Sequence, residues 1–385
     1  MKKFISLFLI SFLYFTNAYS INSFKYLDEP VSGEFCSTLL DDLKSSPNLN
    51  LRETGPIIVN TELLIEDINK IDGKILDFES SFTLWNFWID QKVVQLLKER
   101  GVYEETDKPA WICDYPPNIF WGDKQKSVFD PVIEFYNRKT KPDFQTGLAD
   151  WVEIFDNGTI QTRIRDISRF KLYNTDFRKF PFDTQVMEFQ LYPEFPKTMV
   201  QFQADEPTMT GHKKNLYNFK GDSGIEIPGW NLVEVDYYVD EYTEGDYDYQ
   251  GFVLTLKAER IASYYVFKVI LPIFFILIIS WSVFWVRGSE LEAKVNVTIV
   301  CLLALIAYNF IIDGDLPKLN YLTFLDLFIL ISYFYTGLAT ILCVHSFIRH
   351  KKTGEIYTAI DIKARMWGPV SYLLILITLI YGFFN

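Results

Sequence analysis

Four long apolar runs near the end of the chain constrain its fold more than any other feature. The runs occupy residues 269–286, 295–312, 327–348 and 366–384. Each is long enough for a helix to cross the apolar core of a bilayer. We therefore predict that residues 261–385 form an all-α bundle of four membrane spans, at about 264–286, 292–313, 321–348 and 366–384.

The second apolar run carries a stripe that a simple membrane anchor does not need. Its members follow one another at steps of three or four, so they share one helix face: Glu292, Asn296, Val300, Leu303, Ala307, Phe310 and Gly314. The stripe is acidic, then polar, then apolar, as an ion path with a selective mouth and an apolar gate requires. One helix cannot enclose a pore, so this interpretation implies a ring of identical chains. The stripe alone is equally typical of helices packed inside a bundle.

The part of the chain up to Arg260 is acidic and begins with an export signal. It holds 28 of the 37 basic and 42 of the 49 acidic residues, a balance of −14. Lys2 and Lys3 precede the apolar run FISLFLISFLYF, so residues 1–20 are typical of a cleavable signal peptide. An exported acidic domain favours organic cations, divalent ions or protons as partners and argues against nucleic acid.

Cysteine and histidine usage bounds the chemistry. Cys36 and Cys113 lie in the exported part, where an oxidising compartment favours a disulfide between them; two buried free thiols are the alternative. The sequence has three histidines and shows no Cys/His metal cluster, nucleophile elbow or phosphate-binding glycine loop. We therefore predict a protein that is not an enzyme and uses no cofactor.

Residues 56–260 consist of short alternating apolar and polar runs separated by turn signals. Asp156-Asn157-Gly158, for example, indicates a tight hairpin between two such runs. The pattern predicts an all-β, immunoglobulin-like sandwich. Two segments depart from it: a helical pattern at 34–46 within an N-terminal extension (21–55), and a short helix or insertion at 91–105.

Several motifs resemble those of the pentameric ligand-gated ion channels, the Cys-loop receptor superfamily. FPFDTQ at residues 180–185 resembles the core of the family's signature loop, and Trp88-Ile89-Asp90 resembles one of its strand endings. The entry to the first apolar run is similar to that of the family's first membrane helix, with Arg260, Tyr264, Tyr265 and Pro272. Leu316-Pro317 and Tyr321 resemble the linker after its pore helix. The resemblance covers residues 56–385 in order and implies a homopentamer.

Two departures are similar to the bacterial branch of the family. Tyr173 and Met187 occupy the positions of the signature loop's disulfide, so that bond is absent. The basic loop at residues 349–365 has no room for an intracellular domain, and its charge places it in the cytoplasm. The resemblance therefore implies a multi-pass protein of the bacterial inner membrane with its sandwich in the periplasm.

The resemblance also implies roles for the stripe. Glu292 would form a ring of carboxylates at the cytoplasmic mouth, followed by Asn296 and Val300 in the selective segment. The proline-alanine pair of anion-selective members is absent near Glu292, so monovalent cations are the implied permeant ions. The gate would consist of Leu303, Ala307 and Phe310, with lateral packing against a neighbouring subunit as the alternative for Phe310.

Coupling between the two parts is implied at their junction. Asp183 and Arg260 resemble a family ion pair, with Asp72 as a third member, and such a network can rearrange between discrete states. Pro317 and Tyr321 would receive the motion. The alternative is a purely structural salt bridge.

A hairpin at residues 236–250 interleaves tyrosines with carboxylates, which suits an ammonium ligand. The implied pocket residues lie on both sides of a subunit boundary: Tyr249 with Tyr237 or Tyr238, then Glu194 and Phe195, and across the boundary Phe120 and Trp121. The function predicted is a cation-selective channel opened by a small agonist bound at this interface. The alternatives are a solvated acidic loop with no ligand, a channel gated by protons or Ca²⁺, and a non-conducting receptor of the same fold.

Overall fold

The computed structural model describes residues 25–26, 32–45, 55–106, 109–116, 120, 128–139, 148–203, 227–312 and 316–384, with the backbone alone for 25–26, 148–150 and 309–312. The predicted signal peptide and Trp121 lie outside these residues, as does the side chain of Phe310.

The part of the chain up to Arg260 contains eleven described strands. In chain order they are β1 (Lys25–Tyr26), β2 (Ile57–Asp72), β3 (Asp77–Ile89), β4 (Ala110–Tyr115), β5 (Ile133–Phe135), β6 (Leu148–Phe155), β7 (Thr159–Lys171), β8 (Thr184–Pro193), β9 (Val200–Gln203), β10 (Trp230–Glu244) and β11 (Tyr247–Arg260). One sheet has the order β1-β4-β6-β7-β3-β2-β9 and the other the order β10-β11-β8-β5. The tight turn predicted at residues 156–158 joins β6 to β7.

The apolar faces of the two sheets meet in a core rich in phenylalanine. Residues along β8 alternate between buried and half-buried, as the two-residue period of a strand requires. Phe170 of β7 lies 4.9 Å from Phe189 of β8 and 5.1 Å from Phe135 of β5, measured between ring centres, in edge-to-face contacts. The predicted β-sandwich is confirmed.

Two helices cover the end of the sandwich away from the membrane helices: α1 (Gly33–Ser45) and α2 (Gln91–Glu99). The Sγ atoms of Cys36 and Cys113 are bonded, which ties α1 to β4. The carboxylate of Asp90 caps α2 by accepting the N–H of Lys92 at 2.8 Å. The segment predicted at 91–105 is helical only up to Glu99, because Gly101 turns the chain in the left-handed region, with φ of 68°.

Within the described residues, four helices are long and apolar enough to cross a membrane, as predicted: α3 (Ser263–Trp285), α4 (Leu291–Ile312), α5 (Phe324–Thr353) and α6 (Ala359–Phe384). Helix α5 begins at Phe324, not at 321, because Thr323 and Asp326 form a reciprocal capping box. Helix α6 begins at Ala359, not near 366, because Asp361 in its first turn is buried and paired. In both helices, polar and charged residues in the first turn limit the apolar run in the sequence but belong to the helix.

Helix α3 has a wider, π-helical stretch at Val266–Ile270, just before Pro272. Proline has no N–H to donate, and its ring crowds the carbonyl four residues earlier. The N–H of Leu271 bonds instead to the carbonyl of Val266, five residues back. The wider turn therefore accommodates Pro272 without breaking the helix.

Candidate functional site

The hairpin of β10 and β11 brings two tyrosines face to face. Gly245 in the turn has a φ of 63°, and Glu244 pairs with Tyr247, so Tyr242 lies directly opposite Tyr249. Their rings are stacked with centres 5.1 Å apart and planes 13° apart. The two-residue turn therefore determines which aromatic side chains meet.

These rings continue into a row across the outer face of the four-stranded sheet. Tyr192 of β8 lies 5.2 Å from Tyr242, and Tyr136, just after β5, lies 5.7 Å from Tyr192. We call Tyr136, Tyr192, Tyr242 and Tyr249 the tyrosine cluster. Gly251 makes room for it, because a Cβ there would lie 2.1 Å from Cε1 of Tyr192.

Carboxylates surround the tyrosine cluster. The hydroxyl of Tyr192 donates to Oδ2 of Asp240 at 2.7 Å. Burial, followed by this hydrogen bond, raises the pKa of Tyr192. Burial also raises the pKa of Tyr238, and the nearby carboxylates of Glu188 and Asp240 add to the rise. The face thus combines aromatic rings with negative charge, the arrangement that attracts a cation.

The hairpin is held down by the loop that follows β8. Nζ of Lys197 pairs with Oε1 of Glu241 at 2.5 Å, and the N–H of Lys197 donates to the carbonyl of Asp248 at 2.7 Å. The hydrogen bond from Lys197 lowers the pKa of Glu241. The hairpin tip is therefore closed over this loop in the protomer.

The predicted pocket positions on β10 and β11 lie on two different faces of the sheet. Tyr249 belongs to the tyrosine cluster, and Tyr238 is 46% exposed on the same outer face. Tyr237 is on the inner face, half-buried against Phe252 and the sandwich core, so of the two alternatives Tyr238 is the one that faces outward. An odd step along a strand reverses the side, and Tyr238 is one step from Tyr237.

The other predicted loop positions have neighbours of their own. Phe120 is fully buried against Tyr115 in the core beneath α1 and α2, so it cannot face a ligand and its prediction is wrong. Phe195 is half-buried and packs on Phe129 at 5.0 Å. Glu194 is exposed, and its N–H donates to the carbonyl of Val132.

Three members of the tyrosine cluster were missed: Tyr136, Tyr192 and Tyr242. The signal for Tyr242 was present, because the turn at Gly245-Asp246 predicts its pairing with Tyr249. Tyr136 and Tyr192 join only through the pairing of β5 with β8 and of β8 with β11, which local patterns do not reveal.

The junction between the sandwich and the helices contains a buried ion pair. Nε and a terminal nitrogen of Arg260 contact the two carboxylate oxygens of Asp183 at 2.7 and 3.1 Å. The guanidinium also lies 4.1 Å from the ring centre of Trp230 and 4.9 Å from that of Phe180. Asp183 is 2% exposed, so the pair is desolvated and strong in its bidentate geometry.

Asp72 does not join this pair, contrary to the prediction. Its carboxylate contacts Nζ of Lys70 at 2.6 Å and accepts the N–H groups of Lys74 and Ile75. It therefore stabilises its own turn, as aspartate commonly does. Leu76, four residues further along the chain, packs against the apolar cluster that Phe177 and Phe180 share with the helices.

The signature loop enters the top of the helical bundle. The N–H of Phe324 donates to the carbonyl of Arg178 at 2.7 Å, and the N–H of Phe177 donates to the hydroxyl of Tyr321 at 3.1 Å. Phe180 lies 4.7 Å from Tyr265 of α3 within one apolar cluster that continues down the bundle. Pro317 is half-buried nearby, in the segment before α5. A displacement of the loop would therefore reach several helices at once.

Helix α4 has one exposed and one buried face. The described side chains of the predicted stripe are all exposed in the protomer: Glu292, Asn296, Val300, Leu303 and Ala307. Val300 and Leu303 are 63% and 60% exposed, although both are large and apolar. The opposite face is buried, with Lys294, Thr298, Cys301 and Leu305 at most 5% exposed.

Residues 34–260, more than half of the chain, match the sequence model of the neurotransmitter-gated ion-channel ligand binding domain. With the sandwich and the four apolar helices, this match defines the class of protein. The chain belongs to the pentameric ligand-gated ion channels, which are multi-pass membrane proteins and not enzymes.

The chain is similar to several named channels. It is 27% identical to the proton-gated ion channel of Gloeobacter violaceus over 335 residues, 86% of this chain and 84% of that relative. The identity is 25% to the pH-sensitive chloride channel 2 of Drosophila melanogaster, over 54% of this chain and 40% of the relative. It is 20% to the human gamma-aminobutyric acid receptor subunit rho-3, over 80% of this chain and 64% of the relative. The matches span less than two thirds of each animal relative.

Proposed function

We propose that the protein is a homopentameric, cation-selective channel of the bacterial inner membrane, opened by a ligand that binds the periplasmic sandwich. The exposed stripe of α4 carries this proposal. Large apolar residues and a glutamate share one exposed face in a single protomer. Five copies around an axis would turn that face into a pore with an acidic mouth and an apolar gate.

The acidic mouth supports cations as the permeant ions. Relatives of this chain include chloride channels, so membership of the family leaves the sign of the ion open. Five Glu292 carboxylates at one constriction would concentrate cations and repel anions. Asn296, one turn further, offers amide groups to partly dehydrated ions.

The tyrosine cluster supports an organic cation as the agonist. Aromatic faces attract an ammonium group most strongly where carboxylates stand beside them, and Asp240 and Glu188 do so here. The contact of Lys197 with Glu241 would let the hairpin report occupancy to the loop after β8.

A second candidate agonist is the proton, favoured by a pair of like charges on neighbouring strands. Asp114 of β4 lies directly opposite Glu153 of β6. Burial raises the pKa of Glu153, Arg163 opposes the rise and Asp114 adds to it, while Gln161 donates to the carboxylate. Protonation of Glu153 as pH falls would remove repulsion between the strands. The similarity to a proton-gated channel supports the same candidate.

The test is voltage-clamp recording from the purified protein in liposomes under a NaCl gradient. Steps of pH come first, followed by a series of primary amines at neutral pH. A gated current that reverses near the sodium potential is expected, and Glu292→Ala should move the reversal potential toward zero. An unchanged reversal potential in that variant would remove the role of Glu292.

The same recording separates the two agonists. If protons gate, Glu153→Gln mimics the protonated carboxyl, so the variant should open at a higher pH than wild type. If an ammonium ligand gates, Tyr249→Ala should weaken potency and leave the single-channel conductance unchanged. No current from a verified pentamer under any condition would favour the non-conducting receptor.

A further inference from the structure

A buried ion pair lies at the base of the pore-facing helix, behind its exposed stripe. Nζ of Lys294 in α4 donates to Oδ1 of Asp361 in α6 at 2.9 Å, and both side chains are fully buried. Lys294 is two residues after Glu292, which places the two side chains on opposite faces of the helix. The network around the pair is formed by residues of the helical part.

The carboxylate of Asp361 is held by more than the lysine. Its second oxygen, Oδ2, accepts from the hydroxyl of Ser346 at 2.6 Å. The same oxygen accepts from the hydroxyl and the N–H of Thr358, at 2.9 and 3.0 Å. Ser346 belongs to α5, so the network joins three helices and fixes the carboxylate in one place.

The ammonium group of Lys294 is stable in this buried position only while it is paired. A buried ammonium that loses its partner carries a large desolvation penalty. The long apolar stem of a lysine lets its charged end move to the nearest water. For Lys294 that water is the pore mouth, where Glu292 and Asn296 are exposed on the same turn of α4. Five displaced lysines would cancel the five carboxylates of the Glu292 ring.

We propose that Asp361 determines ion specificity without touching the ion, by holding Lys294 away from the pore mouth. The inference rests on the proposed cation-selective pore with Glu292 as its charged ring. In this proposal α6 is more than a membrane anchor, since its Asp361 keeps the ammonium group of Lys294 away from the pore. The alternative is a purely structural contact that only holds α6 to the bundle.

The test compares reversal potentials in a NaCl gradient for single and double variants. Asp361→Asn should lower the permeability ratio of Na⁺ to Cl⁻ by roughly tenfold, because a positive charge is released beside the ring. Lys294→Met/Asp361→Asn has no charge to release and should keep the wild-type ratio. Ser346→Ala is the matched control, because it removes one hydrogen bond to the carboxylate and leaves both charges in place.

The outcomes separate this inference from the proposed function. A wild-type channel that does not select cations would overturn the proposed function, and this inference with it. A selective wild type with an unchanged ratio in Asp361→Asn would overturn the inference alone. Equal losses in the single and double variants would also overturn it, because the effect would then not pass through the lysine. Should Asp361→Asn not assemble alone, pentamers mixed with wild-type subunits should show a loss graded with mutant content, and an ungraded ratio would count against the inference.

Discussion

Gly251 shows how strongly one residue can affect the arrangement of the tyrosine cluster. In the sequence it is a glycine within β11, directly before the apolar run FVLTL. In the fold it lies beside Tyr192, because Phe252 of β11 pairs with Leu191 of β8. The missing Cβ leaves the space that the ring of Tyr192 fills. The tyrosine cluster therefore depends on a residue that has no side chain.

Gly251→Ala should displace the ring of Tyr192 and weaken the potency of a cationic agonist by about tenfold, with conductance unchanged, because overpacking costs about 1–3 kcal/mol. Concentration–response currents with primary amines measure this. Gly33→Ala is the matched control, since a Cβ there meets nothing within 4 Å. Equal potency in Gly251→Ala and wild type would mean that Tyr192 does not contribute to the site.

Arg260→Met should cost about 3–5 kcal/mol of folding free energy, because it leaves Asp183 as a buried, unpaired charge. Thermal unfolding in detergent measures the loss, and agonist-evoked current should fall with it. The control lies on the same strand: Lys257 and Glu234 form an exposed pair at 3.3 Å. Lys257→Met should cost less than about 1 kcal/mol. Similar losses in both variants would contradict a special role for the junction.

Among the elements, α4 is the one whose two faces carry different tasks. Its exposed face bears the stripe, and its buried face bears Lys294 and the apolar residues that contact the other helices. The helical period separates the two faces in the sequence. The helical period does not determine which face is directed toward a pore axis and which face packs against a neighbouring helix. The burial of Lys294 answers that question for one end of the helix.

Leu303→Ser should raise the current in the absence of agonist by about tenfold or more, because a hydroxyl in a narrow apolar collar lets water remain there. Currents before and after agonist measure the ratio of spontaneous to maximal opening. Leu302→Ser is the matched control, since Leu302 is half-buried beside the stripe. A silent Leu303→Ser variant that forms pentamers would contradict a gate at this position.

For the whole molecule, the charge is divided between the two parts. Residues up to Arg260 carry a balance of −14 within a total of −12, so the helical part is slightly basic. In a pentamer the sandwich would form an acidic vestibule above the pore. Such a field raises the local concentration of cations, and salt screens it.

Single-channel Na⁺ conductance should therefore fall less than in proportion when NaCl is diluted from about 200 to about 20 mM, because the screening length grows as salt falls. Recordings at constant osmolarity, with sucrose replacing salt, measure the dependence. A chain in which the exposed Glu134 is changed to glutamine should move toward proportionality. Strict proportionality in the wild type would show that the vestibule does not concentrate cations.

Features that depend on local order can be predicted from the amino-acid sequence. The apolar runs specify four helices, and the alternating runs specify strands that bury one face. The helical period specifies the stripe of α4, and the two-residue turn specifies the pairing of Tyr242 with Tyr249. Each of these is a relation between residues that are close in the chain, so a periodic pattern reports it.

Contacts between residues that are distant in the chain follow from the packing of the folded protein. Asp361 is 67 positions from Lys294, and nothing in either neighbourhood marks the other as its partner. For the same reason, the sequence does not reveal that Phe120 is buried in the core or that Asp72 pairs within its own turn. The periodicity of a strand or helix indicates the face on which a residue lies. The packing of elements against one another determines which residues that face contacts. The cost of burying an unpaired charge makes the Lys294–Asp361 contact specific once the helices have packed.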